Sequence, residues 1–455
     1  MTTALDAPTE AVGEPPAPLG RRFLTVWAGQ TASMIGSQVS AIGAAVYVFV
    51  ETGSAVWLGV LTAVAALPAV LAAPLMTLVD RFPRRTVMLA GDSVAALAPV
   101  LLLVTLRTGH LEVWHIAAAA FVGELGTAFQ GPASQAAVPL LVRPEALGRA
   151  NSLGQLGPAL GIVIGPLLAA PLVATWGLTP VLIVDLVTFT IAVSTVLATP
   201  FEERTDADLT TNADAVAGTP AGDPSWAPVR AFLFDRGRPL LALIAVGAVI
   251  NAVLAVFNVA VFTLASTIGG AGRVGLPVAA IGAAMIVGSI VAGARGVARD
   301  RIATFAVGLL AVCAGCVVIA ARPSLWFVCV GGALAVCLVP AVNAASATIF
   351  HERVPADMQG RLFGLRQAIG GGLYPAASAG AGVLIVEVGA PAMDGPLAGS
   401  LGRLIGSGPE RGGALVVLVA GLLLGIIAIG LVRSPIRREL HADQHQPTRN
   451  LATSS

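Results

Sequence analysis

Three carboxylates stand where a carboxylate is expensive. Glu124, Asp185 and Asp92 each lie inside a long apolar run of this 455-residue chain. An acid moved from water into a low-dielectric helix bundle has its ionised form disfavoured, so it can take up a proton or a cation and release it when its surroundings change. Glu124 lies about 11 residues into its run, near the middle of a bilayer at 1.5 Å per residue. It is a candidate proton or cation-substrate site, weighed against a carboxyl merely hydrogen-bonded between helices. Asp185, about 7 residues from the end of its run, is a second candidate for coupling, weighed against a structural hydrogen bond. Asp92 lies about 7 residues beyond an arginine-rich turn, and suits a structural partner of Arg81, Arg84 or Arg85 better than a proton carrier.

That turn reads Leu78-Val79-Asp80-Arg81-Phe82-Pro83-Arg84-Arg85. Asp80 with Arg81, Arg84 and Arg85 can hold helix ends together by charge-assisted hydrogen bonds, which can form in one state of a moving bundle and break in another. The bland reading is that the arginines only mark the cytoplasmic side, which leaves Asp80 without a purpose. A degenerate copy occurs at Arg295, Arg299, Asp300 and Arg301. Other chemistry is thinly represented. All 26 basic residues are arginine, which excludes a phosphate-binding P-loop lysine and a Schiff-base lysine. Cys313 and Cys316 are spaced C-x-x-C on an apolar run with no His or carboxylate partner, so packing is the expected role and no metal or cofactor is expected. The five histidines fall at loop or terminal positions, and no nucleophile–base constellation is present.

The elements that must position these residues are helices in a membrane. The chain is 56% hydrophobic and 11% charged, too apolar for one buried core, and its net charge of +1 recruits no nucleic acid. Twelve apolar runs of bilayer-spanning length fall near 23–49, 56–79, 86–106, 113–135, 152–175, 178–199, 240–267, 277–297, 302–321, 324–348, 362–388 and 413–432. The second six echo the first: Pro144, Arg149, Leu153, Gln155 and Gly177 have counterparts in Pro355, Arg361, Leu365, Gln367 and Gly389. A six-helix unit built twice in the same order gives two bundles flanking a central path. Twenty-one of the arginines fall on the side of the N-terminus. Only Arg107, Arg273, Arg322, Arg403 and Arg411 fall opposite, so both termini are expected in the cytoplasm. Residues 1–20 lack the pattern of a signal peptide and read as a disordered tail. The bundles are expected at 21–199 and 239–433, with a disordered linker at 200–238 rich in acids, Thr, Gly and Pro, and a cytoplasmic tail from 434. Residues 389–412 form a Gly-, Pro- and Ser-rich outer loop.

The D-R-x-x-R-R turn resembles the signature loop of the major facilitator superfamily. Gly161-Ile162-Val163-Ile164-Gly165-Pro166 resembles the G-x-x-x-G-P motif of its antiporter branch, with Ala169 and Ala170 where a Gly-Gly usually follows. The runs Gly131-Pro132-Ala133, Val138-Pro139-Leu140-Leu141-Val142, Ala150-Asn151-Ser152-Leu153 and Asp185-Leu186-Val187-Thr188-Phe189 are similar to the third drug:H⁺ antiporter branch, which holds macrolide-efflux proteins and an enterobactin exporter. The resemblance covers about residues 21–435. Two departures stand out: span 4 carries Glu124 where other branches carry a base, and span 1 has no acid in its middle.

The resemblance implies an all-helical membrane fold of twelve spans, alternating access, and proton-coupled export across a bacterial cytoplasmic membrane by a monomer. It also implies a path lined by spans 1, 4, 7 and 10. On those spans, together with span 11, the polar candidates are Gln30, Gln38, Asn251, Asn258, Asn343, Arg366, Gln367 and Tyr374, each of which could instead be interhelical glue. A largely apolar cavity with scattered amides suits a bulky hydrophobic ligand such as an antibiotic, siderophore or secondary metabolite. An uptake permease for a nutrient and a non-transporting receptor of the same fold are the competing readings.

Overall fold

A computed structural model of the chain describes residues 19–72, 82–143, 146–154, 156–201, 230, 232–234, 238–295, 300–354 and 356–434. Helices make up nearly all of it. The first six spans are α1 (Arg21–Thr52), α2 (Ala55–Ala72), α3 (Arg84–Arg107), α4 (Val113–Ala137), α5 (Leu156–Trp176) and α6 (Thr179–Ala198). The second six are α7 (Arg238–Gly269), α8 (Gly275–Arg295), α9 (Arg301–Ala321), α10 (Leu325–Val336, continued as Val339–Arg353), α11 (Ala356–Val383) and α12 (Gly412–Arg433). Eleven helical spans are long and apolar enough to cross a membrane. The twelfth, α4, is long enough at 25 residues but is diluted by Glu124, Gln130 and Gln135. In lipid only a helix satisfies all its own backbone groups, so this architecture follows from the apolar runs.

Short turns reverse the chain, with a left-handed glycine where no side chain could follow: Gly53 at φ 61° closes α1 and Gly177 at φ 73° follows α5. At the start of α9, Asp300 Oδ1 accepts from the Ala303 backbone N–H at 2.9 Å, an N-cap that gives this acid of the degenerate turn a structural role. The outward faces are apolar, with Leu97, Ile183, Val287, Ile290 and Ile426 all exposed. Trp57, Trp114, Trp176 and Trp326 are exposed at helix ends on the face opposite the termini, hereafter the far face, as an aromatic belt at a bilayer interface requires.

Within the first half α1 packs on α5 and α6, and α4 on α2 and α3; within the second, α9 packs on α10 and α12, and α7 on α11 and α12. The halves meet chiefly through α2 against α11 and α5 against α8. Glycines make both crossings close. A Cβ on Gly59 would run into the Ser378 carbonyl, one on Gly382 would lie 2.6 Å from Val56 Cα, and one on Gly275 would run into the Pro166 carbonyl. Phe49 and Phe262 meet edge to face at 6.3 Å nearby. All but the last of these backbone approaches lie at the far ends of both helices, and Gly275 begins α8 there. The halves are therefore closed together on the far side.

The outer loop has more structure than its composition suggests. A π-helical turn at Leu384–Gly389 carries α11 into a short helix, Ala390–Asp394, so Gly389 is helical where its repeat counterpart Gly177 terminates a helix. The side chain of Arg411, 2% exposed, fastens the loop: its Nε donates to the Ile405 carbonyl at 2.7 Å and its Nη2 to the Ala320 carbonyl near the end of α9. The tails and linker expected to be disordered fall outside the described residues, apart from their edges.

Candidate functional site

Two of the three acids meet on one cavity. It has a volume of about 260 Å³ and lies in the first half, with α7 closing one wall. Glu124 reaches it from α4 and Asp185 from α6; Ser37 and Ser40 of α1, Thr127 of α4 and Asn258 of α7 add polar atoms. The remaining lining is Ala, Leu, Ile, Val, Phe, Thr and Gly, with no basic residue among the described residues that line it. Glu124 is exposed to this space. Asp185 is 3% exposed and accepts from Ser37 Oγ at 3.3 Å. An apolar chamber holding two carboxylates favours neutral or positively charged guests and repels anions.

Asp92 belongs to a separate cluster. Its Oδ2 accepts from Gln30 Nε2 at 2.9 Å, and Gln30 Oε1 accepts from Gln130 Nε2. All three are buried, so α1, α3 and α4 are tied by one hydrogen-bonded string. This corrects two expectations. Gln30 lies off both of the cavities described here and is glue, and Asp92 bonds a carboxamide; of the three arginines offered as its partner, Arg85 instead donates to the Leu197 carbonyl at 2.7 Å and the Val196 carbonyl at 3.3 Å, capping the end of α6, and Arg81 lies outside the described residues. Replacing Gln30 with Leu strands a buried carboxylate and a buried amide. It is expected to lower stability by about 2–4 kcal/mol, with part recovered in the Gln30→Leu/Asp92→Leu double variant. Thermal unfolding of the detergent-solubilised chain reads this directly; an unshifted midpoint in the single variant would refute it.

Gln38 is also displaced from the expected role. Its stem lies on the glycines of α5, where added Cβ atoms at Gly161 and Gly165 would sit 3.1 Å and 2.7 Å from it. Gly161 and Gly165 thus let α5 close on α1, while the Pro166 carbonyl faces Gly275 of α8. The G-x-x-x-G-P segment is where one helix touches its own bundle on one side and the other bundle on the next.

A second cavity of about 350 Å³ lies in the second half, lined by α7, α9, α10 and α11. Asn251, Asn343, Ser346 and Arg366 supply its polar groups. Asn258 of α7 and Tyr374 of α11 are close neighbours. Asn251 and Asn258 lie seven residues apart on α7, two turns or about 10 Å, so one helix serves both chambers. Asp80, Arg81 and the side chain of Gln367 lie outside the described residues. Ser37, Ser40, Gln130 and Ser346 were missed by the sequence reading; the polar stretch Gly36-Ser37-Gln38 was the one signal that could have found the first.

Known proteins place this geometry. The chain is 33% identical over 176 residues to macrolide efflux protein A of Streptococcus pyogenes, a match covering 38% of this chain and less than half, 44%, of that protein. With macrolide efflux protein A of Enterococcus faecalis it shares 26% identity over 300 residues, 64% of this chain and 89% of that one. Among solved structures, the nucleoside transporter NupG superposes with a TM-score of 0.69 at 10% identity, covering 90% of this chain and 99% of that one. A bacterial homologue of the iron transporter ferroportin, solved in an inward-facing state, gives 0.65 at 16%, covering 92% and 100%. At such identities these structures share the fold alone. With residues 26–379 matching its family model, the chain belongs to the Major Facilitator Superfamily.

Proposed function

We propose that this transporter is a proton-coupled exporter of hydrophobic small molecules that are neutral or carry a positive charge, antibiotics and secondary metabolites among them. The observation that carries the reading is the pairing of Glu124 and Asp185 on one largely apolar cavity with no basic residue among the described residues that line it. Each carboxylate can hold a proton or a cationic guest, and mutual exclusion of the two is what antiport requires. The bias of arginines toward the terminal face supports cytoplasmic termini in a bacterial inner membrane. The far side is then the outside, and closure of the far end fits loading from the cytoplasm. The similarity to two proteins named macrolide efflux protein A supports export. The monomer reading rests on both cavities being lined by one chain.

Cells expressing the chain, loaded with a panel of lipophilic dyes and antibiotics with and without a protonophore, test this. Efflux that stops on adding the protonophore is expected. Accumulation above that of control cells would instead mean uptake and would overturn the reading.

A further inference from the structure

We propose that the second cavity is an anion station, which takes a carboxylate or similar acidic group of a substrate whose cationic, apolar body occupies the first. This rests on the exporter reading and deepens it: the preferred substrates are zwitterionic amphiphiles. The two chambers carry opposite chemistry. Among the described residues every charged group on the first is acidic, whereas the charged group lining the second is Arg366, flanked by Asn251, Asn343 and Ser346. Arg366 lies about 10 residues from the start of α11, at the cytoplasmic end of the apolar span that begins at Ala368.

The guanidinium is held ready. Its central carbon sits 5.3 Å from the centre of the Phe350 ring, a cation–π contact between α11 and α10. No carboxylate lines this cavity among the described residues. Burying a cation without a counter-charge is costly, so an arriving anion completes the site. The amides are posed as well. Asn251 Nδ2 donates to the Gly247 carbonyl at 3.0 Å and lies 3.2 Å from where a Cβ on Gly370 would be. Gly370 leaves room for that amide, and Gly370 and Gly371 both line the cavity. Asn251 and Asn258, one lining each cavity, are about 10 Å apart along α7, within the length of a drug-sized molecule.

Tetramethylrhodamine, a zwitterion with a free carboxylate, and its ethyl ester, a cation of nearly the same shape, are the probes. Binding of each is followed by fluorescence anisotropy on the purified full-length chain. Arg366→Gln should reduce the acid-to-ester affinity ratio about tenfold by weakening the acid alone, and Arg366→Lys, which keeps the charge but not the fork, should fall between. An unchanged ratio, with ester binding still lost in Glu124→Gln, would overturn the anion station and leave the exporter reading standing. Equal loss of both dyes in Arg366→Gln would assign the arginine to helix packing and also overturn it. Failure of the wild-type chain to bind either dye would overturn the apolar-cation reading, and this inference with it.

Discussion

Glu124→Gln combined with Asp185→Asn is expected to abolish concentrative efflux while leaving the chain folded and inserted. A membrane potential of about 100 mV acting on one proton supplies roughly 2.3 kcal/mol, and one pH unit adds about 1.4 kcal/mol. Together these sustain a concentration ratio of a few hundred-fold at most. A chain that cannot load a proton has no access to that gradient, and its steady-state ratio for an uncharged substrate falls to one. Both replacements keep the shape of the side chain, and Ser37 can still donate to the carboxamide oxygen at position 185, so thermal stability should be little changed.

The single variants divide the roles. Asp185 is 3% exposed and hydrogen-bonded to α1, whereas Glu124 is open to the chamber. Asp185→Asn should therefore remove coupling and leave binding of a lipophilic cation intact. Glu124→Gln should weaken that binding as well as slow export. Dye binding to the purified variants, set beside efflux from energised cells, separates the two. Concentrative, protonophore-sensitive efflux surviving in the double variant would move the proton carrier elsewhere in the chain.

Much of this was legible because membranes punish ambiguity. A run of about 20 apolar residues has few fates, and an acid inside one is conspicuous. Glu124 and Asp185 could be singled out from their surroundings alone. Their partners could not, because pairing in a bundle depends on residues far apart in the chain: Gln30 meets Asp92 across 62 positions and Gln130 across 100. The same limit hid the outer loop, whose order depends on Arg411 reaching the Ala320 carbonyl 91 residues earlier. Local sequence also misjudged some boundaries. Helix α11 begins at Ala356, before Arg361, because a helix can carry polar residues at a membrane surface where apolar counting stops. The break in α10 at Cys337-Leu338 did leave a sign, Pro340 in the first turn of the second segment, which apolar counting passes over.

Gly59→Val should hold the transporter open on its far side. The crossing of α2 with α11 depends on bare backbone: a Cβ at Gly59 would meet the Ser378 carbonyl and lie 3.3 Å from the Gly382 nitrogen, and a Cβ at Gly382 would lie 2.8 Å from the Ala55 carbonyl carbon. Backbone cannot turn aside as a side chain can, so the helices must separate. Overpacking of this kind costs about 1–3 kcal/mol, here charged to the closed state alone, which shifts a two-state equilibrium roughly 5- to 150-fold toward the open one. The closed crossing is already imperfect, for Ser378 Oγ is buried without a hydrogen-bond partner among the described residues. Spin labels at Glu51→Cys and Arg273→Cys, in a chain whose four native cysteines are replaced by alanine, place one reporter on each half at the far face. Electron–electron distance measurement should show a longer component growing in Gly59→Val, together with an efflux rate at least tenfold lower, because cytoplasmic loading needs the far side shut. Ser378→Ala, which removes the stranded hydroxyl and keeps the glycines, should leave the short component dominant. Identical distance distributions in the wild-type and Gly59→Val chains would mean that α2 and α11 are not the surfaces that part.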